Sequence, residues 1–262
     1  MLFDTHIHTK FSTDSKLKLA DAICRSEKLG LGIIVTEHMD LSYPEPESFI
    51  FDKEKYFQKY ETRRSASVRL GIELGMRPDC LEANRKVVAD SRFDYIIGSI
   101  HVVNNIDIYD GIFYRHKTKQ EIYTTYFDFM LECVKKYDFI HSLGHIDYIA
   151  RYARFTDPEI YYSEYTEKID TILKTLAVRD QALEINTRRL KDKTAAQNMK
   201  TILKRFAALG GRLVTVGSDA HQTDSIGYLI KEAIHLAEEC SLSPVYFKHG
   251  KPYPNSILKG DS

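Results

Sequence analysis

Leu2-Phe3-Asp4-Thr5-His6-Ile7-His8 opens the chain with a short apolar run that ends in metal-type side chains. Side chains two apart on a strand point the same way, so His6 and His8 could grip one ion from one side. The plan recurs. Further β-rich apolar runs cover Leu31 to Thr36, Val68 to Glu73, Tyr95 to Ser99, Phe139 to Leu143, Ala182 to Asn186 and Arg212 to Gly217, seven in all. Between them lie patterns with helical spacing. Leu19 with Ile23, and Ala20 with Cys24, recur at i+4. Ile122, Tyr126, Met130 and Val134 make a longer stripe, as do Tyr161, Tyr165, Ile169 and Leu173. Met199, Ile202, Leu203 and Phe206 follow, then Ile226, Leu229, Ile230, Ala233 and Ile234. Strands alternating with helices predict parallel βαβ units of an α/β fold, and their number suits a closed or nearly closed barrel better than a flat sheet. No linker rich in Pro, Gly or Ser divides the chain, so residues 1–262 read as one domain. Met39 to Asp52 and Val102 to Thr118 are long connections of the kind that cover active sites.

At 43% hydrophobic, 262 residues can bury a large core. Lys+Arg and Asp+Glu each number 37, and this balance argues against a partner bound through a nucleic-acid backbone. No apolar run approaches the ~20 residues of a membrane span. Cys24, Cys80, Cys133 and Cys240 show no CxxC spacing and are expected as buried thiols. The start lacks the basic and long apolar stretches of a leader. A reduced, cytoplasmic compartment is the expectation.

Metal-type residues mark the ends of other runs too. The second continues into Thr36-Glu37-His38 and the third ends Gly71-Ile72-Glu73. Ser99-Ile100-His101 closes the fourth, Gly144-His145 follows the fifth, and Ser218-Asp219-Ala220-His221 follows the seventh. In barrel enzymes these ends open onto one mouth. Singly, each residue has an ordinary explanation: a solvated or hydrogen-bonded histidine, a surface carboxylate, or helix capping by Asp14 or Asp219. Their joint recurrence favours metal. His116, His235 and His249 fall in loops or a helix, and His141, inside the fifth run, reads as a core histidine.

With those motifs quoted, the chain resembles the polymerase and histidinol phosphatase (PHP) family over essentially its full length. Within it the chain is similar to the free-standing histidinol-phosphatase branch, through Gly144-His145-Ile146-Asp147-Tyr148, Arg151-Tyr152-Ala153-Arg154-Phe155 and Glu184-Ile185-Asn186-Thr187-Arg188. The resemblance implies a distorted seven-stranded (β/α)7, TIM-like barrel holding three divalent ions, with zinc, iron and manganese all suited to mixed imidazole and carboxylate ligands. Carried over by motif, the first ion would use His6, His8, Glu73 and Asp219. The second would share Glu73 with His101 and His145, and the third would use Asp14, His38 and His221. Some relatives have histidine where this chain has Asp14.

The implied activity is hydrolysis of L-histidinol phosphate, a small-molecule phosphate ester, by a metal-activated hydroxide. His221 or Asp219 would pass a proton to the departing alcohol. Arg154 and Arg188 are the phosphate candidates, with Arg151 and Arg189 as competitors. Glu184 and Asn186 share a strand face and could meet the substrate's amine or imidazole, or equally form a buried structural pair. The alternatives are a phosphoesterase acting on nucleotides, nucleic-acid ends or phosphotyrosine, and a non-catalytic metal-binding module.

Overall fold

Parallel pairing follows the rhythm of the apolar runs. The computed structural model describes residues 1–89 and 92–256. Its strands are β1 (Leu2–Ile7), β2 (Leu31–Met39), β3 (Val68–Gly75), β4 (Tyr95–Ser99), the hairpin pair β5 (Val102–Val103) and β6 (Ile106–Asp107), β7 (Ser142–Leu143), β8 (Ala182–Asn186), β9 (Leu213–Gly217), β10 (Ser243–Lys248) and β11 (Lys251–Pro254). Helices α1 (Leu19–Leu29), α2 (Lys53–Tyr60), α3 (Leu81–Val88), α4 (Lys119–Lys136), α5 (Tyr148–Tyr152), α6 (Thr166–Val178), α7 (Lys193–Ala208) and α8 (Ile230–Glu239) fill most of the intervals.

Among the described residues one sheet runs β1-β2-β3-β4-β7-β8-β9-β10-β11, and β5 pairs only with β6. Each of the seven expected runs contains a strand, the fifth shortened from Phe139–Leu143 to Ser142–Leu143, which leaves His141 just before it. The sheet nevertheless has nine, because β10 adds parallel to β9 and β11 returns antiparallel. Those two escape a sequence reading because Pro244, Gly250, Pro252 and Pro254 punctuate them. Proline is tolerated there because the pair lies at the sheet's end.

Every residue of β1 and β2 is buried, as expected of parallel strands covered on both faces. Burial shows which helix stripes were read correctly. In α4, Ile122, Tyr126, Met130 and Val134 all face the core, and a capping box between Thr118 and Glu121 fixes the helix start. Tyr161 and Tyr165 precede α6, and Ile226 and Leu229 precede α8; Tyr165 and Ile226 are buried in the core as their spacing suggested, whereas Tyr161 and Leu229 are only partly buried and stand outside it. Cys80, Cys133 and Cys240 are buried, whereas Cys24 is exposed on the outer face of α1.

The free edge of β1 is partnered at both ends. Ile7 forms a parallel bridge with Ala220, just beyond β9, and the His8 N–H donates to the Ala220 carbonyl at 2.8 Å. Near the start of β1, the Asn255 side chain accepts from the Phe3 N–H at 2.7 Å and donates to the Phe3 carbonyl at 3.0 Å. The register of β1 against β2 slips between Asp4 and Ile7. Bulges of this kind re-aim side chains beside functional sites. Because the strands are parallel, the C-terminal ends of β1–β4 and β7–β9 face one mouth.

Candidate metal centre

At that mouth, ligand-type atoms crowd together. His6 Nε2 lies 3.0 Å from His8 Nε2 and 3.3 Å from Glu73 Oε2. His8 Nε2 is 3.4 Å from both Glu73 Oε2 and Asp219 Oδ1, and His6 Nε2 is 3.9 Å from Asp219 Oδ1. Four ligands at 2.0–2.1 Å around a tetrahedral ion stand about 3.3–3.4 Å apart. The spacing is that of a cage. Glu73 Oε1 faces a second group, with His145 Nε2 at 2.9 Å and His101 Nε2 at 3.3 Å. Asp14 Oδ2 lies 2.9 Å from His221 Nε2 and 3.7 Å from His38 Nε2.

The structure therefore brings every expected ligand to one mouth, with different burial. His6, His8 and Glu73 are fully buried and Asp219 nearly so, whereas Asp14 is exposed. Asp14 belongs to none of the tightest three-residue groups. Those are His8–His38–His221, His6–His8–Glu73, Glu73–His101–His145 and His38–Asp40–His101, with ligand atoms within 4.8 Å.

Support behind these atoms fixes how the rings point. His6 Nδ1 donates to Glu184 Oε1 at 2.6 Å, and His101 Nδ1 to Asp40 Oδ1 at 2.8 Å. Ser12 Oγ donates to Glu37 Oε2 at 2.6 Å and so accepts from His8 Nδ1 at 3.1 Å. His221 Nδ1 donates to the Asp219 carbonyl at 2.9 Å. Each acceptor holds the proton on Nδ1 and leaves Nε2 aimed inward, which is how carboxylates orient metal-binding histidines.

Glycine and strained backbone let these parts approach. A Cβ on Gly217 would sit 2.3 Å from the His6 Cβ, and one on Gly75 would sit 2.0 Å from Asp40 Oδ1. Asp219 adopts a left-handed φ of 54°, a local strain of the kind functional sites retain.

The electrostatics are those of closely coupled imidazoles and carboxylates. Burial would depress the His6 imidazole, but Glu184, Glu73 and Asp219 outweigh it and hold it well above its usual value. Burial likewise opposes protonation of His38, yet Glu73 and Asp14 push it up to about 10. His101 is raised against burial by Asp40 and Glu73. Burial, with His38 and His221 as further causes, drives His8 well below its ordinary value. Against burial, His6, His101 and His38 hold Glu73 ionised, and Arg151 with His6 does the same for Asp219. Glu73 Oε2 and His38 Nδ1 approach to 2.9 Å, but neither buried atom has an aligned hydrogen-bond partner. Leaving such groups unpaired costs about 1–3 kcal/mol each, and more when charged. Stacked imidazoles, His8 on His38 at 4.1 Å and on His221 at 4.3 Å, add repulsion whenever both carry protons. Divalent cations replacing those protons would relieve both costs, so the donor set fits metal.

Two hollows adjoin the cluster. One, about 280 Å³, is lined by Arg151, Arg188, His221 and Gln222 together with ligand residues. The other, about 360 Å³, has walls of Tyr43, Phe49, Tyr109 and Tyr152 with Glu45 and Asp107. Arg188 borders the first, half-exposed, 3.7 Å from Asp219 Oδ2. Arg154 does not reach it. It is exposed on a separate surface hollow with Asp110 and Ile112, because α5 ends at Tyr152 and the chain turns outward. Arg151, one turn earlier, points inward and donates to Asp219 Oδ2 at 2.6 Å and Asn186 Oδ1 at 3.1 Å. Arg189 is paired with Asp147 and Glu159.

Glu184 and Asn186 match the second of the two readings open to them, a buried pair. Glu184 is fully buried with one oxygen on His6 and the other accepting from the His145 N–H at 2.8 Å, so it braces two candidate ligands from behind. Asn186 is nearly buried beneath Arg151. Sequence reasoning passed over Asp40 and Ser12, and quoted Glu37 only within the ending of the second run without a role of its own. Asp40 had a usable signal, since it stands two residues after His38 at the end of β2.

The PHP domain family model matches residues 4–188. A "probable histidinol-phosphatase" of Clostridium acetobutylicum is 49% identical over 95% of this chain and 97% of its own length. The histidinol-phosphatase of Lactococcus lactis is 33% identical, with 83% of each chain covered. A crystal structure of histidinol phosphate phosphatase from Lactococcus lactis, complexed with zinc, L-histidinol and phosphate, superposes with a TM-score of 0.89. It covers 96% of this chain and 98% of that one at 32% identity.

Proposed function

The chain belongs to the PHP domain family, and we propose that it hydrolyses L-histidinol phosphate to L-histidinol and inorganic phosphate, a cytoplasmic step of L-histidine biosynthesis. One observation carries the reading: likeness over almost the whole chain to a phosphatase whose structure holds zinc, L-histidinol and phosphate. The Ile7–Ala220 bridge is read as the seam of a distorted barrel walled by the seven parallel strands β1–β4 and β7–β9.

Three divalent ions, zinc or else iron or manganese, are assigned to this mouth. His6, His8, Glu73 and Asp219 would hold the first, Glu73, His101 and His145 the second, and Asp14, His38 and His221 the third. Such ions acidify water toward a pKa of ~7 and offset charge on phosphoryl oxygens. The protein's residues supply placement. Arg188, and Arg151 through its buried fork, present cationic charge to the phosphate hollow. Asp219 is a poor proton donor because Arg151 and His6 hold it ionised. His221 is committed as well, its Nε2 to the third ion beside Asp14 and its Nδ1 proton to the Asp219 carbonyl, so the departing alcohol takes its proton from solvent at the mouth. The neighbouring hollow, with aromatic walls and the carboxylates Glu45 and Asp107, suits a cationic amine and an imidazole.

A substrate panel tests the reading. Metal-reconstituted protein should release phosphate far faster from L-histidinol phosphate than from nucleotides, phosphotyrosine or 3′-phosphorylated DNA ends. Equal rates across the panel would sink the assignment.

A further inference from the structure

Arg77 lies two residues beyond β3, the strand that carries Glu73, and only 10% of its side chain is exposed. Its Nη1 donates to the Ser42 carbonyl at 2.6 Å and to Asn105 Oδ1 at 3.2 Å. The other face of the guanidinium donates to both oxygens of Asp79, from Nε at 3.0 Å and from Nη2 at 2.8 Å. Its backbone is pinned as well. The Arg77 N–H donates to the Tyr137 hydroxyl at 3.2 Å, and that hydroxyl donates to the Arg77 carbonyl at 2.7 Å. A rigid, anchored fork is thus presented to two separate segments.

Those segments are the connection from β2 to α2, which holds Ser42, and the turn of the β5–β6 hairpin, which holds Asn105. Both residues adopt left-handed backbone, with φ of 57° and 62°. Non-glycine residues keep such conformations where surrounding contacts over-determine them. The first segment contributes Tyr43, Glu45 and Phe49 to the aromatic and acidic hollow; the hairpin and its exit contribute Asp107 and Tyr109. Across the gap, the Tyr43 hydroxyl donates to the Asp107 carboxylate. The hairpin follows His101 directly, and the Ile108 N–H donates back to the His101 carbonyl at 2.9 Å.

We propose that Arg77 is a positioning residue for substrate selectivity, clamping these two segments together so that their walls fit the amino-imidazole end of the ester. The inference rests on the substrate reading above. Arg77 touches neither the cluster nor the phosphate hollow, so its loss should spare an ester that lacks that end.

The test uses the metal-loaded enzyme, its Arg77→Ala variant and Asn105→Gly, which removes one acceptor while glycine keeps the positive φ. kcat/KM is measured for L-histidinol phosphate and for phenyl phosphate, and amide hydrogen exchange is followed on the same proteins without substrate. Arg77→Ala should lower the ratio of the two kcat/KM values by about tenfold or more, the scale of lost charge-assisted hydrogen bonds. The change should lie mainly in KM for L-histidinol phosphate, with faster exchange in residues 40–50 and 102–110 and not in the strands. Asn105→Gly should move both readouts the same way by less. An unchanged ratio, an equal loss on both esters, or exchange rising evenly through the sheet overturns the clamp. A wild-type enzyme that does not prefer L-histidinol phosphate sinks the substrate reading instead, and the exchange pattern then decides the clamp alone.

Discussion

His141 and His145 stand four residues apart at opposite ends of β7, and they lead opposite lives. His145 Nε2 meets the Glu73 carboxylate at 2.9 Å amid other imidazoles and carboxylates. At the foot of the strand, His141 Nδ1 accepts from the Ile96 N–H at 3.0 Å, and its ring lies parallel to Phe247 at 4.9 Å. Burial pushes His141 down to about 4. The hollow beside it is about 640 Å³, larger than either hollow at the mouth, and its charged rim includes Arg212 paired with Asp180 at 2.7 Å. Volume therefore does not mark the working end. What marks it is convergence, where several ionisable groups face each other with their ordinary partners missing.

The strongest way to break this contrast is to remove the group at the centre of the convergence. Glu73 faces His6, His8 and His38 with one oxygen and His101 and His145 with the other. Glu73→Ala should reduce metal content together with phosphatase activity, the latter by on the order of 10³-fold or more, as when a preorganised electrostatic site is dismantled. Elemental analysis and turnover of the purified variant check it. Full retention of both would show that the crowding is not a metal site.

A second test sharpens the electrostatic half of the contrast. In the metal-free protein His6, His38 and His101 hold protons more tightly than an ordinary histidine, His38 up to about 10, while Glu73 and Asp219 are already ionised. An arriving cation must displace those imidazole protons, whereas the carboxylates have none to release. Raising the pH removes the competitor, so metal affinity should strengthen with pH. One displaced proton gives about tenfold per unit, and several give a steeper slope. Chelator competition between pH 6 and 8 measures it. A flat profile would mean that the imidazoles do not bind the ion.

How far the sequence could be read follows from the same contrast. The parallel strands are visible because buried β-branched runs alternate with amphipathic helices, and most candidate ligands are visible because they end or closely follow those runs. Ile34 and Val35 lead straight into Thr36-Glu37-His38, for example. Pairings that depend on chain-distant contacts were hidden. Asn255 grips Phe3 across 252 residues, and no local pattern announces that. Alternation puts Glu184 on the mouth side of β8, open to substrate contact or to burial alike, because alternation does not say how deep a residue sits. Depth decides its role: it lies fully buried behind His6. Arg151 and Arg154 differ only by where α5 ends, a boundary that apolar spacing does not fix.

The smallest expected effect on activity belongs to the foot of β7. His141→Phe keeps an aromatic ring against Phe247 but removes the acceptor for the Ile96 N–H. A buried donor left unpaired costs about 1–3 kcal/mol, so the variant should be less stable while turnover and metal content stay within about twofold of wild type. Its pH dependence gives the sign. His141 titrates lower in the folded protein than in the unfolded chain, so the stability it contributes is full above about 6.5 and is lost as the pH falls toward about 4. Phenylalanine has no such proton to take up. The gap between wild type and variant in urea unfolding should therefore narrow on acidification across that window, because the other titrating groups are common to both. A gap that stayed constant would show that His141 is not held neutral by burial. A large loss of turnover would erase the distinction between the two ends of the strand.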